Sequence, residues 1–136
     1  MTKPVPEGHQ RIMPYFFYED VAASIEFLAK AFGFQIDAIH KLPNGKIVNA
    51  QATFNGARVM MGPAQRQFGF DSPRKLPALH SGTVVYVDDV DAHCRHARAA
   101  GAKIEREPAD QDYGVREYTA RDLEGNQWFF WEALAK

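Results

Sequence analysis

Residues 86–101, YVDDVDAHCRHARAAG, repeat the plan of residues 17–33, FYEDVAASIEFLAKAFG. In each, an aspartate–valine pair opens an amphipathic stretch and a glycine closes it: Asp20-Val21 to Gly33, then Asp89-Val90 to Gly101. The aspartates lie 89 − 20 = 69 residues apart but the glycines 101 − 33 = 68, so one residue is gained or lost inside the stretch. Further on, Asn55-Gly56 and Glu124-Gly125 each turn into an apolar run, and these glycines are again 125 − 56 = 69 apart. Two modules of about seventy residues sharing one plan need each other to bury a core. A cleft between them is where a ligand would bind.

Asp20 suits a helix N-cap, because its carboxylate can accept the free amides of the first turn. Val21, Ile25, Leu28 and Phe32 then share one helical face, and Gly33 stops the helix. Ile12 to Tyr18 reads as the strand before it and Phe34 to His40 as the strand after. Pro43-Asn44-Gly45 turns into a strand over Lys46 to Phe54, and Asn55-Gly56 makes a tight hairpin into Arg58 to Met61. Module one, 11–62, is thus β-α-β-β-β. The proline- and glycine-bearing stretch 63–81 is a linker, either a lid over the cleft or a mobile surface loop. Module two, 82–132, repeats the order. Its strands are Thr83 to Val87, Ala102 to Glu107, Val115 to Arg121 and Gln127 to Trp131, and its helix buries Val90, Cys94 and Ala97. The fold class predicted is α+β: one domain over 1–136, built of two tandem β-α-β-β-β modules forming a curved antiparallel sheet with a central cleft. Helices would cover the convex side.

Length suits one domain with its own core. Sixteen basic against seventeen acidic residues, with no basic stripe, argue against nucleic acid as a partner. No apolar run approaches the roughly 20 residues that span a bilayer. Met1 to Gln10 is polar and does not read as a secretion signal. The single cysteine, Cys94, fits a reducing cytoplasm.

The run Tyr113-Gly114, Arg116-Glu117-Tyr118, Arg121-Asp122-Leu123-Glu124-Gly125-Asn126-Gln127-Trp128-Phe129 resembles the C-terminal signature of the vicinal oxygen chelate superfamily. That group includes glyoxalase I, extradiol dioxygenases and bleomycin-resistance proteins. The segments around Tyr18 to Phe34 and Tyr86 to Gly101 fit the same pattern, and the resemblance spans about residues 12 to 132. It looks closest to the PhnB-like and bleomycin-resistance-like members. Leu123 stands where the family usually has proline.

Metal-using members of that family place one ligand on each of four strands. Two lie about seven residues before the capping aspartates, here Met13 (20 − 7) and Gly82 (89 − 7). Two lie about four after the hairpin glycines, here Met60 (56 + 4) and Phe129 (125 + 4). Zinc, iron, nickel and manganese need imidazole nitrogen or carboxylate oxygen. None of the four positions offers either, so no metal and no other cofactor is expected.

An apolar, aromatic cavity remains. Strand alternation, with the repeat offset of 69 carried throughout, points Tyr15, Asn49, Met60, Tyr86, Arg116, Tyr118, Phe129 and Trp131 inward as ligand-binding residues. Arg116 would hold an anionic or carbonyl group. His93, Cys94 and His96 share a helix, but no carboxylate completes a metal site there. His80 is the best general-base candidate, though nothing orients it; Glu117 and Asp122 would make a carboxylate pair for acid/base work, but Asp122 suits the cap of its own turn, and no catalytic set emerges. The reading is a cytoplasmic, metal-free protein that sequesters a flat or aromatic small molecule. The resemblance implies a homodimer with each pocket built from both chains. The alternative is a glyoxalase-like lyase or isomerase, or a dioxygenase, with relocated ligands such as His80 with Glu132 or Gln127.

Overall fold

The computed structural model describes residues 4–135, so the reading of the polar opening segment rests partly on residues outside this range. Pro14 delays the first strand, and β1 runs Tyr15–Tyr18. Asp20 then accepts the Ala23 N–H at 3.0 Å and starts α1, Val21–Phe27. β2 (Gln35–Lys41), β3 (Ile47–Phe54) and β4 (Ala57–Pro63) complete the first module. The second contains β5 (Thr83–Tyr86), α2 (Val90–Ala99), β6 (Lys103–Asp110), β7 (Val115–Arg121) and β8 (Gln127–Ala133). Asp89 caps α2 through the Ala92 N–H, again at 3.0 Å. Each cap of this kind stabilises its helix by about 1 kcal/mol.

The two four-stranded sheets have matching orders, β1-β4-β3-β2 and β5-β8-β7-β6. Both are mixed rather than purely antiparallel. β1 runs parallel to β4 and β5 parallel to β8, while the other pairs are antiparallel. The β3–β4 connection is a two-residue turn in which both Asn55 (φ 47°) and Gly56 (φ 86°) take positive φ. That is the turn whose twist matches a hairpin.

The two helices differ in one respect. After Phe27 the first helix widens into a π-helical turn over Leu28–Phe32, ending at Gly33 with φ 84°. A π turn accommodates one extra residue in an α-helix. It places Leu28, Ala31 and Phe32 together in the core, all fully buried.

The core is one cluster shared by both modules on the helix-covered side of the sheets. Phe32 packs on Phe130 (centroids 4.9 Å) and Trp128 (5.7 Å), and Phe34 meets Trp128 at 5.4 Å. Burying each such ring stabilises by about 1.5–3 kcal/mol. Polar contacts join the modules as well. His93 and His96 on α2 donate from Nε2 to the carbonyls of Phe32 (2.9 Å) and Lys30 (2.7 Å). The Tyr18 hydroxyl donates to Asp122 at 2.6 Å. Glu124 accepts the backbone N–H groups of Glu19 and Asp20, both at 2.8 Å. Among the described residues no helix is long and apolar enough to cross a membrane.

Candidate functional site

Alternation sorts the strands into two faces. Phe16 and Tyr18, Val59 and Met61, and Trp128 and Phe130 face the helices. Their neighbours, Tyr15 and Phe17 on β1, Met60 and Gly62 on β4, and Phe129 and Trp131 on β8, therefore line the open face. Two close approaches fix this geometry. The Tyr15 ring lies over Gly62, where an added Cβ would meet its hydroxyl at 2.6 Å. The Phe129 ring lies over Gly82, where a Cβ would meet it at 2.6 Å. The position just before β5 that would carry a metal ligand is thus bare backbone roofed by a benzene ring.

Two of the expected residues face the other way. Tyr118 is 0% exposed, stacked on Phe130 at 4.9 Å, and its hydroxyl meets His93 Nδ1 at 2.6 Å. Burial raises its pKa well above the usual tyrosine value. Arg116 also turns to the helix side. It pairs with Asp91 on α2 and Asp110 on β6, both at 3.0 Å, and those hydrogen bonds raise its pKa. The physical reason is the π turn. Its extra residue in module one reduces the repeat offset from 69 to 68, so Ala50 and Ala52 correspond to Tyr118 and Ala120 (118 − 50 = 68), and all four are buried. One residue of slip exchanges the faces of a strand. The residues that share the open face of β7 are Glu117, Thr119 and Arg121, matching Asn49, Gln51 and Thr53.

The aromatic rings of the open face form two groups. Phe17 stacks between Tyr15 (4.7 Å) and Phe70 of the linker (4.2 Å). Trp131 sits between Tyr86 (5.8 Å) and Tyr113 (5.6 Å). Among the described residues no aromatic pair joins the first group to the second. A cavity of roughly 450 Å³ lies between β1 and the start of β5, lined by Tyr15, Phe17, Gly82, Val84, Gln127 and His80. Tyr86 instead lines a second groove of roughly 370 Å³, with Phe34, Phe54 and Arg58. Asn49, Met60, Phe129 and Trp131 line neither. A single chain therefore does not gather the eight expected residues into one cleft.

The segment from Ala64 to Gly82 is tied down at several points. Ser72 is fully buried and donates to Glu124 at 2.5 Å. Arg74 and Lys75 pair with Glu19 at 3.5 and 3.4 Å. His80 is exposed at the cavity rim with Gln127 nearby, whereas Glu132 is occupied by the Val90 N–H at 2.8 Å. Among the described residues no three His, Cys, Asp or Glu side chains converge to hold a metal ion. Met13 and Gly82 lie just before β1 and β5 rather than on them, and together with Met60 and Phe129 they make a donor set that does not fit the family's metal.

His93 acquires a definite state. Its Nε2 bonds a carbonyl, which only accepts, so Nε2 carries the proton and Nδ1 accepts from Tyr118. Burial lowers its pKa. The folded chain then resists a proton that the unfolded chain takes at about pH 6.5. Stability is expected to be level at and above neutral pH and to fall as pH drops through that value toward the lowered folded one. Urea midpoints measured from pH 7.5 down to 5.5 check this, and His93→Gln should flatten the trend.

Paired βαβββ modules with an open, ring-lined face and a shared helix-side core define the class of this protein. The profile of the Glyoxalase/Bleomycin resistance protein/Dioxygenase superfamily matches residues 10–130, and the chain belongs to that family. An uncharacterized protein of Mycobacterium bovis is 31% identical over 125 residues, covering 86% of this chain and 79% of its own. Among solved structures, TioX from Micromonospora sp. ML1 is similar at 27% identity and TM-score 0.72, covering 93% of this chain and 98% of that one. A family enzyme from Burkholderia phytofirmans PsJN shares the fold at 20% identity and TM-score 0.71, covering 88% and 95%.

Proposed function

We propose that this chain is a metal-free small-molecule binding protein of the bleomycin-resistance type, and that it holds a flat or aromatic ligand against the rings of its open face. One observation carries the reading. The strand positions that would grip a metal present thioethers, bare backbone and a phenyl ring, and large aromatic side chains surround them. Such a surface binds by stacking and desolvation. The separation of the ring groups supports a homodimer. A second copy can set its Tyr86–Trp131 group opposite the Tyr15–Phe17 group of the first, so that each pocket draws on both chains. A cytoplasmic location accords with the single buried cysteine.

Thermal stabilisation against a panel of aromatic compounds tests the reading, since a ligand present at a hundred times its dissociation constant adds about 2.7 kcal/mol. Trp131→Ala is expected to weaken such a compound by more than about 1 kcal/mol while the fold survives. Unchanged affinity in a calorimetric titration would remove Trp131 from the pocket.

A further inference from the structure

Three carboxylates are buried among the described residues: Glu117, Asp122 and Glu124. Asp122 and Glu124 each collect several donors, backbone N–H groups among them. Glu117 does not. It is 3% exposed, and among the described residues its oxygens accept only from the Tyr113 hydroxyl, at 2.9 Å, and the Trp131 indole N–H. Among the described residues no lysine, arginine or histidine pairs with it. Arg106 on β6 acts on Tyr113 through space but is exposed and forms no ion pair with Glu117. The donors that meet the Glu117 carboxylate are both neutral, so no cation in the fold offsets it.

That potential emerges among aromatic faces. Tyr86 and Tyr113, 58% and 54% exposed, stand on either side of Trp131 in the ring group described above. Aromatic faces attract cations. Tyr113 and Trp131 also donate their polar hydrogens to Glu117, which polarises both rings toward more negative faces. Thr119, two residues along the same face of β7, has a buried hydroxyl without a partner among the described residues. Module one has no counterpart. At the positions equivalent to Glu117, Tyr113 and Trp131 stand Asn49 (117 − 68), Gly45 (113 − 68) and Gly62 (131 − 69).

We propose that Tyr86, Tyr113 and Trp131 around Glu117 form a cation subsite, which takes the quaternary or protonated ammonium of a flat organic ligand. This rests on the binding function proposed above and adds to it the charge of the ligand. The test is calorimetric titration with N-methylisoquinolinium and with isoquinoline, in mildly alkaline buffer where isoquinoline is neutral. The two share a shape and differ in charge. The cation is expected to bind about tenfold tighter. Glu117→Gln should abolish that preference while leaving isoquinoline within about twofold of its native affinity. Tyr86→Leu, at an exposed ring that leaves the core intact, should reduce the preference several-fold and serves if Glu117→Gln fails to fold. Equal affinities for the two probes, or a preference that survives both substitutions, would overturn the cation subsite and leave the stacking pocket standing. Failure of both probes to bind would remove the two together.

Discussion

Alanine at Asp122 is expected to destabilise the fold by about 3–5 kcal/mol, a large part of a small domain's stability. Five donors converge on this carboxylate. Oδ2 takes the Tyr18 hydroxyl at 2.6 Å and the Trp128 indole N–H at 3.1 Å. Oδ1 takes the backbone N–H groups of Glu124, Gly125 and Asn126 at 3.0 to 3.2 Å. Tyr18 and Trp128 are fully buried, so water cannot replace the lost acceptor without a cavity. Each orphaned buried donor costs about 1–3 kcal/mol. Asp122→Asn keeps one oxygen for the turn but sets an NH₂ group against two donors, so a loss between native and alanine is expected. Urea denaturation followed by tryptophan fluorescence reads both. A loss under about 1 kcal/mol for alanine would show that this turn does not join the modules.

The repeat plan was legible because its punctuation is local. Asp20 and Asp89 cap, Gly33 and Gly101 stop, and Asn55-Gly56 turns, each through its own backbone chemistry. The structure departs from the repeat in a face, not in an element. The spacing of 68 between Gly33 and Gly101 already marked an extra residue in module one, and the structure absorbs it as the π turn at Leu28–Phe32. Past that point the offset is 68, so Arg116 and Tyr118 turn to the helices and Glu117, equivalent to Asn49, takes the open face. The offset returns to 69 only at the longer β7–β8 turn, so Met60 and Phe129 occupy equivalent positions on the open face. His93 was not legible. A histidine on an amphipathic helix carries no sign that its two nitrogens will meet Phe32 of one module and Tyr118 of the other. The separation of the ring groups was equally invisible, since it depends on how the sheets are set against one another.

Glu124→Ala should cost about 3 kcal/mol and, unlike Asp122→Ala, should also loosen the segment over the cavity. The carboxylate sits at the N-terminus of α1, where the N–H groups of Glu19 and Asp20 and the helix dipole favour negative charge. The same group accepts from Ser72 at 2.5 Å and from Ser24 at 3.4 Å. Ser72 is flanked by Asp71 and Pro73, both of which line the cavity, so one side chain of module two fixes the first helix and the roof together. Ser72→Ala removes the second tie and, with it, the hydroxyl that accepts the Arg74 N–H at 3.2 Å. In a double-mutant cycle the two substitutions should couple by about 1–2 kcal/mol, because they share one hydrogen bond. Hydrogen exchange separates the roles: Glu124→Ala and Ser72→Ala should both speed exchange at Lys75 and Leu76, whose N–H groups bond within the roof. Glu124→Ala alone should also speed exchange at Glu19 and Asp20. If the roof amides keep their native rates in both variants, the Phe17–Phe70 stack and the Glu19 ion pairs hold the roof without Glu124, and the cavity is rigid on its own account.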